Sequence, residues 1–308
     1  MSAAYKAVLE RVQRGDVVVL DGGIGTEMLR RGTTWEGHKV DSAADVIRTI
    51  HLDYIAAGAD VISTNTFQLS RRAFRNHFAN VEHMRHIGAP GLEDRAGALL
   101  RDAVARAREA REAAGRDVLI AGAVTTLEWC FRPDLAPTPA QARAEYREIV
   151  EHLAGAGADL ILFETMNAAA EARVAVEAAR EVGVPAWVAF VPCCDGRLLG
   201  GESMPGVASA LRDVAPDVIL FNCAPPPDIA GALRAMAKHW KAPLGAYAHV
   251  GRYDPPDWMF TDEYPPERYI GCAREWGLLG ARVIGGCCGT TPDHIRALRA
   301  GLRIADCR

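Results

Sequence analysis

Eight short segments of this chain are apolar at nearly every position: "VVVLDGG" (17–23), "DVISTNTF" (60–67), "DVLIAGAV" (117–124), "DLILFET" (159–165), "AWVAFVP" (186–192), "DVILFNC" (217–223), "LGAYAHV" (244–250) and "ARVIGGCC" (281–288). Strands with one wet face alternate apolar and polar residues, whereas unbroken apolar runs mark parallel strands covered on both faces. Segments of helical period lie between them, as in 98–115, 171–183 and 229–240. A weak repeat runs through "LDYIAAGADVI" (52–62), "EHLAGAGADLI" (151–161) and "REWGLLGARVI" (274–284): a helix ends on glycine and a strand begins two residues later.

Eight βα units in 308 residues predict an α/β fold of the (β/α)8 TIM-barrel type, with an open doubly wound sheet as the alternative. Even strand spacing and the lack of a Pro/Gly/Ser-rich linker favour the barrel, as a single domain over 1–308. Hydrophobic residues at 49% and charged residues at 24% suit a globular core rather than disorder. A net charge of -4 without a basic run offers no surface for nucleic acid. The opening "MSAAYKAVLERVQRGD" is charged, and no stretch approaches the roughly 18 apolar residues of a membrane span. The expectation is therefore a cytoplasmic protein without membrane or nucleic-acid partners; the oligomeric state is not legible.

Chemistry-bearing residues gather at one end of the strands. Asp21, Asn65, Thr66, Glu164, Thr165, Asn222, Cys223, Cys287 and Cys288 all stand at or just past a C-terminal strand end, where barrel active sites are built. The eight cysteines are too few for a disulfide scaffold, and the adjacent pairs Cys193-Cys194 and Cys287-Cys288 do not suit long-range bridges, which leaves metal or thiol chemistry.

Neighbouring strand residues point to opposite faces, so Cys287 and Cys288 can share a metal only if the chain bends. Gly285, Gly286 and Gly289 are expected to permit that bend through backbone angles closed to other residues. Cys223 would supply a third sulfur, and three thiolates with an open fourth position describe a catalytic zinc site. The alternatives for the pair are buried small hydrophobes or a vicinal disulfide. Cys193 and Cys194, with no bracketing glycine bend, are read as structural.

Taken together, "DGGIGTEMLRRG" (21–32), "AGADVISTNTF" (57–67), "AGADLILFETM" (156–166), "FNC" (221–223) and "GGCCGTTPDHI" (285–295) resemble the homocysteine S-methyltransferases over most of the chain. The resemblance implies a zinc-bearing barrel, one Zn2+ per chain held by Cys223, Cys287 and Cys288, that transfers a methyl group from a small donor to the thiol of homocysteine, giving methionine. It also implies that Asp21 and Glu164 lie near the acceptor's ammonium group and that main-chain amides around Gly22 and Gly23 receive its carboxylate. Asn222 is assigned to the same acceptor site, with loop fixing as the alternative that it shares with Asn65. Glu164 could instead pair with an arginine, and Asp21 could organise the glycine turn. No protein side chain is expected to act as acid or base, since zinc activates the substrate thiol.

The donor region departs from the family. Residues 125–146 lack the Gly-Ser-Glu-Tyr signature of the plant-type enzymes, and 248–269 replace an asparagine-bearing turn. Both stretches are long, proline-bearing and aromatic, so Trp129, Phe131, Tyr253 and Trp258 are candidates to cage a cationic donor at about 1 kcal/mol each, or to pack the loops onto the barrel. Alternatives to the main reading are another thiol or selenol acceptor, a corrinoid-protein donor, or a non-catalytic zinc- or thiol-binding barrel. "TTPDHI" (290–295) reads as a helix start with Thr291 as N-cap, and carries no assigned chemistry.

Overall fold

A computed structural model of the chain describes residues 1–33, 42–77, 91–254 and 257–302, with backbone alone at 77, 253, 254 and 257. In chain order the elements are α1 (Ala3–Arg14), β1 (Val18–Val19), α2 (Ile24–Arg30), α3 (Ala44–Ala57), β2 (Val61–Ser63), α4 (Arg71–His77), α5 (Leu92–Ala114) and β3 (Leu119–Val124). Then come α6 (Pro139–Ala156), β4 (Leu160–Met166), α7 (Ala169–Val182), β5 (Ala186–Phe190), α8 (Met204–Leu211), β6 (Val218–Asn222), α9 (Pro226–Met236) and β7 (Leu244–Tyr247). A hairpin of β8 (Arg252–Asp254) and β9 (Asp257–Met259) precedes α10 (Pro266–Leu278), β10 (Ala281–Ile284) and α11 (Pro292–Gly301).

Every strand expected from the apolar runs is present. The parallel order is β1-β10-β7-β6-β5-β4-β3-β2, and a parallel bridge between Leu20 and Val61 joins the two ends into a barrel. The helix–glycine–strand repeat has its expected cause. Gly58 and Gly157 end α3 and α6 in the left-handed conformation, at φ 111° and 105°, and turn the chain directly into the next strand.

The seam between β1 and β2 is short of backbone ladder, and two aspartates complete it. At one end the Asp60 carboxylate accepts from the Val19 amide at 2.9 Å, and Arg11 and Arg299 pair with it. At the other end the Asp21 carboxylate accepts from the Ser63 amide at 2.7 Å. The acidic residues beside these two strands therefore close the barrel as much as the strands do.

Apolar side chains fill both sides of the sheet, which is why the strands read as unbroken runs. One set, including Val19, Ile62, Ile120, Phe163, Phe190 and Phe221, packs under the helices. The alternate set, including Val18, Leu20, Val61, Leu162, Trp187 and Val218, fills the barrel interior. Helix α1 joins the interior set through Tyr5 and Val12 and stoppers the N-terminal end. The Tyr5 hydroxyl donates to Asp217 at 2.7 Å and accepts from the Trp187 indole at 2.9 Å.

Tyr5→Phe removes a hydroxyl that serves a buried indole and a half-buried carboxylate, so the urea unfolding midpoint should drop by the equivalent of about 1–3 kcal/mol. Because the lesion lies at the closed end, the zinc-binding capacity of the variant, measured by metal titration, should equal that of the wild type.

Candidate metal centre

Cys223 is the first residue beyond β6, and its backbone sits in the left-handed region at φ 53°. For a residue with a Cβ such a conformation costs on the order of 1–3 kcal/mol and persists only where neighbours enforce it. The preceding residue does so. Asn222 is fully buried; its Oδ1 accepts from the Thr165 amide at 3.1 Å and its Nδ2 donates to Thr165 Oγ1 at 3.0 Å. Thr165, at the end of β4, is itself left-handed at φ 58°. Asn222 therefore locks two strained strand ends together. The loop-fixing alternative for Asn222 is thus present, and its second Nδ2 hydrogen stays available.

The second half of the cluster follows β10. The parallel ladder continues past the strand: the Gly285 and Cys287 amides donate to Ala246 and Ala248, and the Gly286 amide donates to Asp21. The reversal comes later, where Gly289 stands at φ 83° and the Val250 amide donates to the Cys288 carbonyl at 2.8 Å. The expected reason for the glycines is thus correct only at Gly289. Gly285 and Gly286 are small for steric reasons, since an added Cβ would lie 2.7 Å from Leu20 Cβ and 2.3 Å from Thr290 Oγ1 respectively.

Thr290, one of the two threonines left without chemistry, ties this turn to the first one. Its hydroxyl donates to the Cys287 carbonyl at 2.6 Å and accepts from the Gly23 amide at 3.2 Å, while the Tyr54 hydroxyl donates to its carbonyl at 3.2 Å.

These constraints bring the sulfurs of Cys223, Cys287 and Cys288 within 4.8 Å of one another. Sulfurs on one tetrahedral zinc lie about 3.8 Å apart, so the three residues fit that ion with small adjustment and leave a fourth position. Hydrogen bonds among the thiols set their acidity. Those from Cys223 and Cys287 hold Cys288 well below the ordinary thiol range. Those to Cys287 and Cys288, together with burial, push Cys223 well above it. Without metal the cluster therefore favours one thiolate shared by its neighbours, an arrangement ready for a soft cation.

Two carboxyls stand beside the thiols. Glu164, in β4, is half-buried and accepts from the Tyr247 hydroxyl at 3.2 Å. Burial and then the Cys287 charge push it up to about 8, against the pull of Tyr247. Asp21 is only 2% exposed. Burial pushes it well above the usual range, its bonds from Ser63 resist this, and Glu164 adds to the rise. Among the described residues neither carboxyl has an arginine or lysine partner, so the alternative pairing for Glu164 is absent there. The Asp21 alternative is present, since its carboxylate braces the barrel seam.

Gly22 and Gly23 follow Asp21, and the Gly23 amide donates to Thr290 Oγ1 at 3.2 Å, a bond that a carboxylate received there would replace. A Cβ at Gly22 would meet Tyr54 Oη at 2.7 Å, so close packing explains that glycine.

Among the described residues the candidate aromatics form two separate pairs. Trp129 and Phe131 meet edge to face at 6.0 Å, while Trp258, on the hairpin, meets His249 at 5.6 Å. The Tyr253 side chain lies outside the described part. His249 follows β7, and its amide donates to Ala224 beside Cys223. Cys130, buried between Trp129 and Phe131, has its thiol pushed up by burial and then by Cys288. Neither had a sequence signal, because no spacing relates them to the cluster. Cys193 and the exposed Cys194 lie outside the three-sulfur group. Among the described residues no helix is long and apolar enough to cross a membrane.

The family model for homocysteine S-methyltransferase matches residues 18–302. A maize (Zea mays) protein named homocysteine S-methyltransferase 4 is 29% identical, over 96% of this chain and 92% of its own length. A selenocysteine Se-methyltransferase of Brassica oleracea var. italica is 28% identical, over 94% and 90%. Among solved structures, the metallated form of the homocysteine methyltransferase MmuM from Escherichia coli superposes with a TM-score of 0.77 at 26% identity, covering 96% of this chain and 99% of that one.

The raised Glu164 has a thermodynamic consequence. Folded, metal-free protein keeps its proton up to about pH 8, whereas the unfolded chain releases it near 4.5. The folded state thus binds more protons across that window. Its stabilising contribution is complete below pH 4.5 and is lost as pH rises through 8, at a slope on the order of 1 kcal/mol per pH unit. Urea midpoints of the metal-free protein between pH 5 and 8 should show this slope as the difference between wild type and Glu164→Gln, with the variant gaining relative stability toward pH 8.

Proposed function

The chain belongs to the homocysteine S-methyltransferase family and is a methyltransferase; on that premise we propose that it moves a methyl group from a small onium donor to the thiol of homocysteine, with zinc held by Cys223, Cys287 and Cys288. The observation that carries this reading is the convergence of three sulfurs from two separate strand ends at the mouth of the barrel.

Zinc bound there supplies a Lewis acid that lowers the acceptor thiol from its usual pKa of about 8.5, so that it reacts as thiolate at neutral pH. The remaining work belongs to the protein's own residues. The acceptor's sulfur proton leaves for solvent. A sulfur lone pair forms the new S–CH3 bond as the donor's onium–CH3 bond breaks, and that bonding pair stays on the donor heteroatom, which departs neutral. No side chain needs to move a proton at the reacting carbon, so the chain contributes positioning. Glu164 and Asp21 take the acceptor's ammonium group, which restores the charge that burial suppresses in Glu164. Trp129 with Phe131 on one loop, and Trp258 on the hairpin, are the candidates to receive the donor cation, each at about 1 kcal/mol. A reducing compartment such as the cytoplasm suits a site that needs three free thiols.

A second reading is favoured by the comparably similar selenocysteine methyltransferases: the same site would accept a selenol, which is more acidic and softer than a thiol.

Zinc-loaded protein incubated with homocysteine and S-methylmethionine, S-adenosylmethionine or betaine should form methionine with at least one donor, read by chromatography. Tight homocysteine binding with no methionine from any of them would overturn the onium-donor reading, and methylation of selenocysteine alone would select the second. Cys287→Ala and Cys288→Ala should each lose both zinc and turnover.

Glu164→Gln keeps the shape but cannot ionise. Its kcat/KM for homocysteine should fall roughly 10- to 100-fold, the loss of one charge-assisted hydrogen bond, with zinc content unchanged by elemental analysis.

A further inference from the structure

The four residues that follow β3, Thr125 to Glu128, are each bonded to a group outside their own loop, and the half-buried aromatics Trp129 and Phe131 come directly after them. Gln68 makes most of these bonds. It lies between β2 and α4, is 1% exposed, and stands in the left-handed region at φ 54°, a conformation that a residue with a Cβ keeps only where neighbours enforce it. Thr125 does so: its Oγ1 accepts from the Gln68 amide at 3.3 Å and from Gln68 Nε2 at 2.8 Å. The two Nε2 hydrogens also have the carbonyls of Thr126 and Glu128 within reach, each at 3.1 Å. One residue thus grips three of the four.

The surrounding helices hold the rest. The Leu127 amide donates to Glu171 Oε1 at 3.2 Å, and the same oxygen accepts from the Tyr146 hydroxyl at 2.7 Å. The Glu128 carboxylate accepts from Arg72 at 3.2 Å and from Asn76 at 2.5 Å, both on α4. A loop pinned at every residue up to 128 is a fixed wall rather than a lid. Its position is at the site, because Cys130, between the two aromatics, is fully buried and its thiol is pushed up by burial and then by the Cys288 charge.

Groups held in place before a ligand arrives bind it without the cost of ordering them. We propose that Gln68 is the positioning residue of the donor side: with Thr125 it sets the backbone of 125–128, so that the segment carrying Trp129 and Phe131 is already in place when the onium cation enters. Gln68 spends its Nε2 on the loop, so it acts through that loop and not on the methyl group. This rests on the onium donor of the proposed function and names what holds the donor's seat.

The test uses the full zinc-loaded chain with homocysteine and S-methylmethionine, S-adenosylmethionine or betaine. Wild type is compared with Gln68→Met, near in length and without the carboxamide, with Thr125→Val, which keeps the branched shape and removes the accepting oxygen, and with the double variant. In each single variant kcat/KM for the donor should fall roughly 10- to 100-fold, mainly through KM. The homocysteine dissociation constant, by calorimetry, should stay within about twofold, with zinc content unchanged. The double variant should lie within about twofold of the weaker single one, because both substitutions cut the same grip. Retention of the donor's kcat/KM by either folded variant, equal weakening toward donor and homocysteine, or additive losses would each overturn the proposal. Should Gln68→Met not fold, Thr125→Val decides alone. Where no donor gives methionine, onium affinity is measured by calorimetry on the homocysteine complex. An affinity present in wild type and weakened in the variants then counts against methyl transfer and not against Gln68, whereas no onium affinity in wild type overturns the proposal.

Discussion

Three sulfurs carried by two non-adjacent strands can meet only if the backbone leaves regular strand geometry at defined points and is held there. The left-handed conformation of Cys223 is the first of these points. It is an unfavourable state for a residue with a Cβ, and the buried Asn222–Thr165 pair offsets its cost. The second is the turn at Cys288 and Gly289, fastened to the first barrel loop through Thr290. The remaining features of the mouth are arranged around these two anchors. Gly286 is small because Thr290 occupies the space beside it, and Gly22 is small for the same reason and because of Tyr54.

The two ends of the barrel divide stability from chemistry. At the closed end polar groups are mutually satisfied: Tyr5, Trp187 and Asp217 form one chain of hydrogen bonds, and Asp60 gathers an amide and two arginines. At the open end Glu164 has one hydroxyl partner and no counter-cation among the described residues, and Asn65 has no partner at all. Buried polar groups without partners destabilise a fold. Asn167, just past β4, is in the same state.

Much of this was legible before any coordinates. Each apolar run became a barrel strand because a strand buried on both faces has no polar register to keep, so hydrophobicity alone marks it. The helix–glycine–strand repeat was equally direct, because left-handed closure of a helix nearly demands glycine. The convergence of Cys223 with Cys287 and Cys288 followed from strand ends that must share one rim. The errors had a common source. Gly285 and Gly286 suggest backbone freedom, whereas their neighbours require small size, and the bond from the Gly23 amide to Thr290 has no local signal. The bonds from Asn222 to Thr165 were equally hidden. Each of those partners is far away in sequence, and no local pattern reports it.

The amino-acid sequence by itself therefore determined the barrel, the end of it that carries chemistry, and the three thiols, because strand burial and helix closure are properties of short segments. Only the tertiary structure decided which polar groups are spent on the scaffold and which are left for a ligand. Asn222 ends β6 and Asn65 lies two residues past β2. One meets Thr165 across the rim, while the other is buried with neither polar atom paired, and that difference exists only once the barrel has closed.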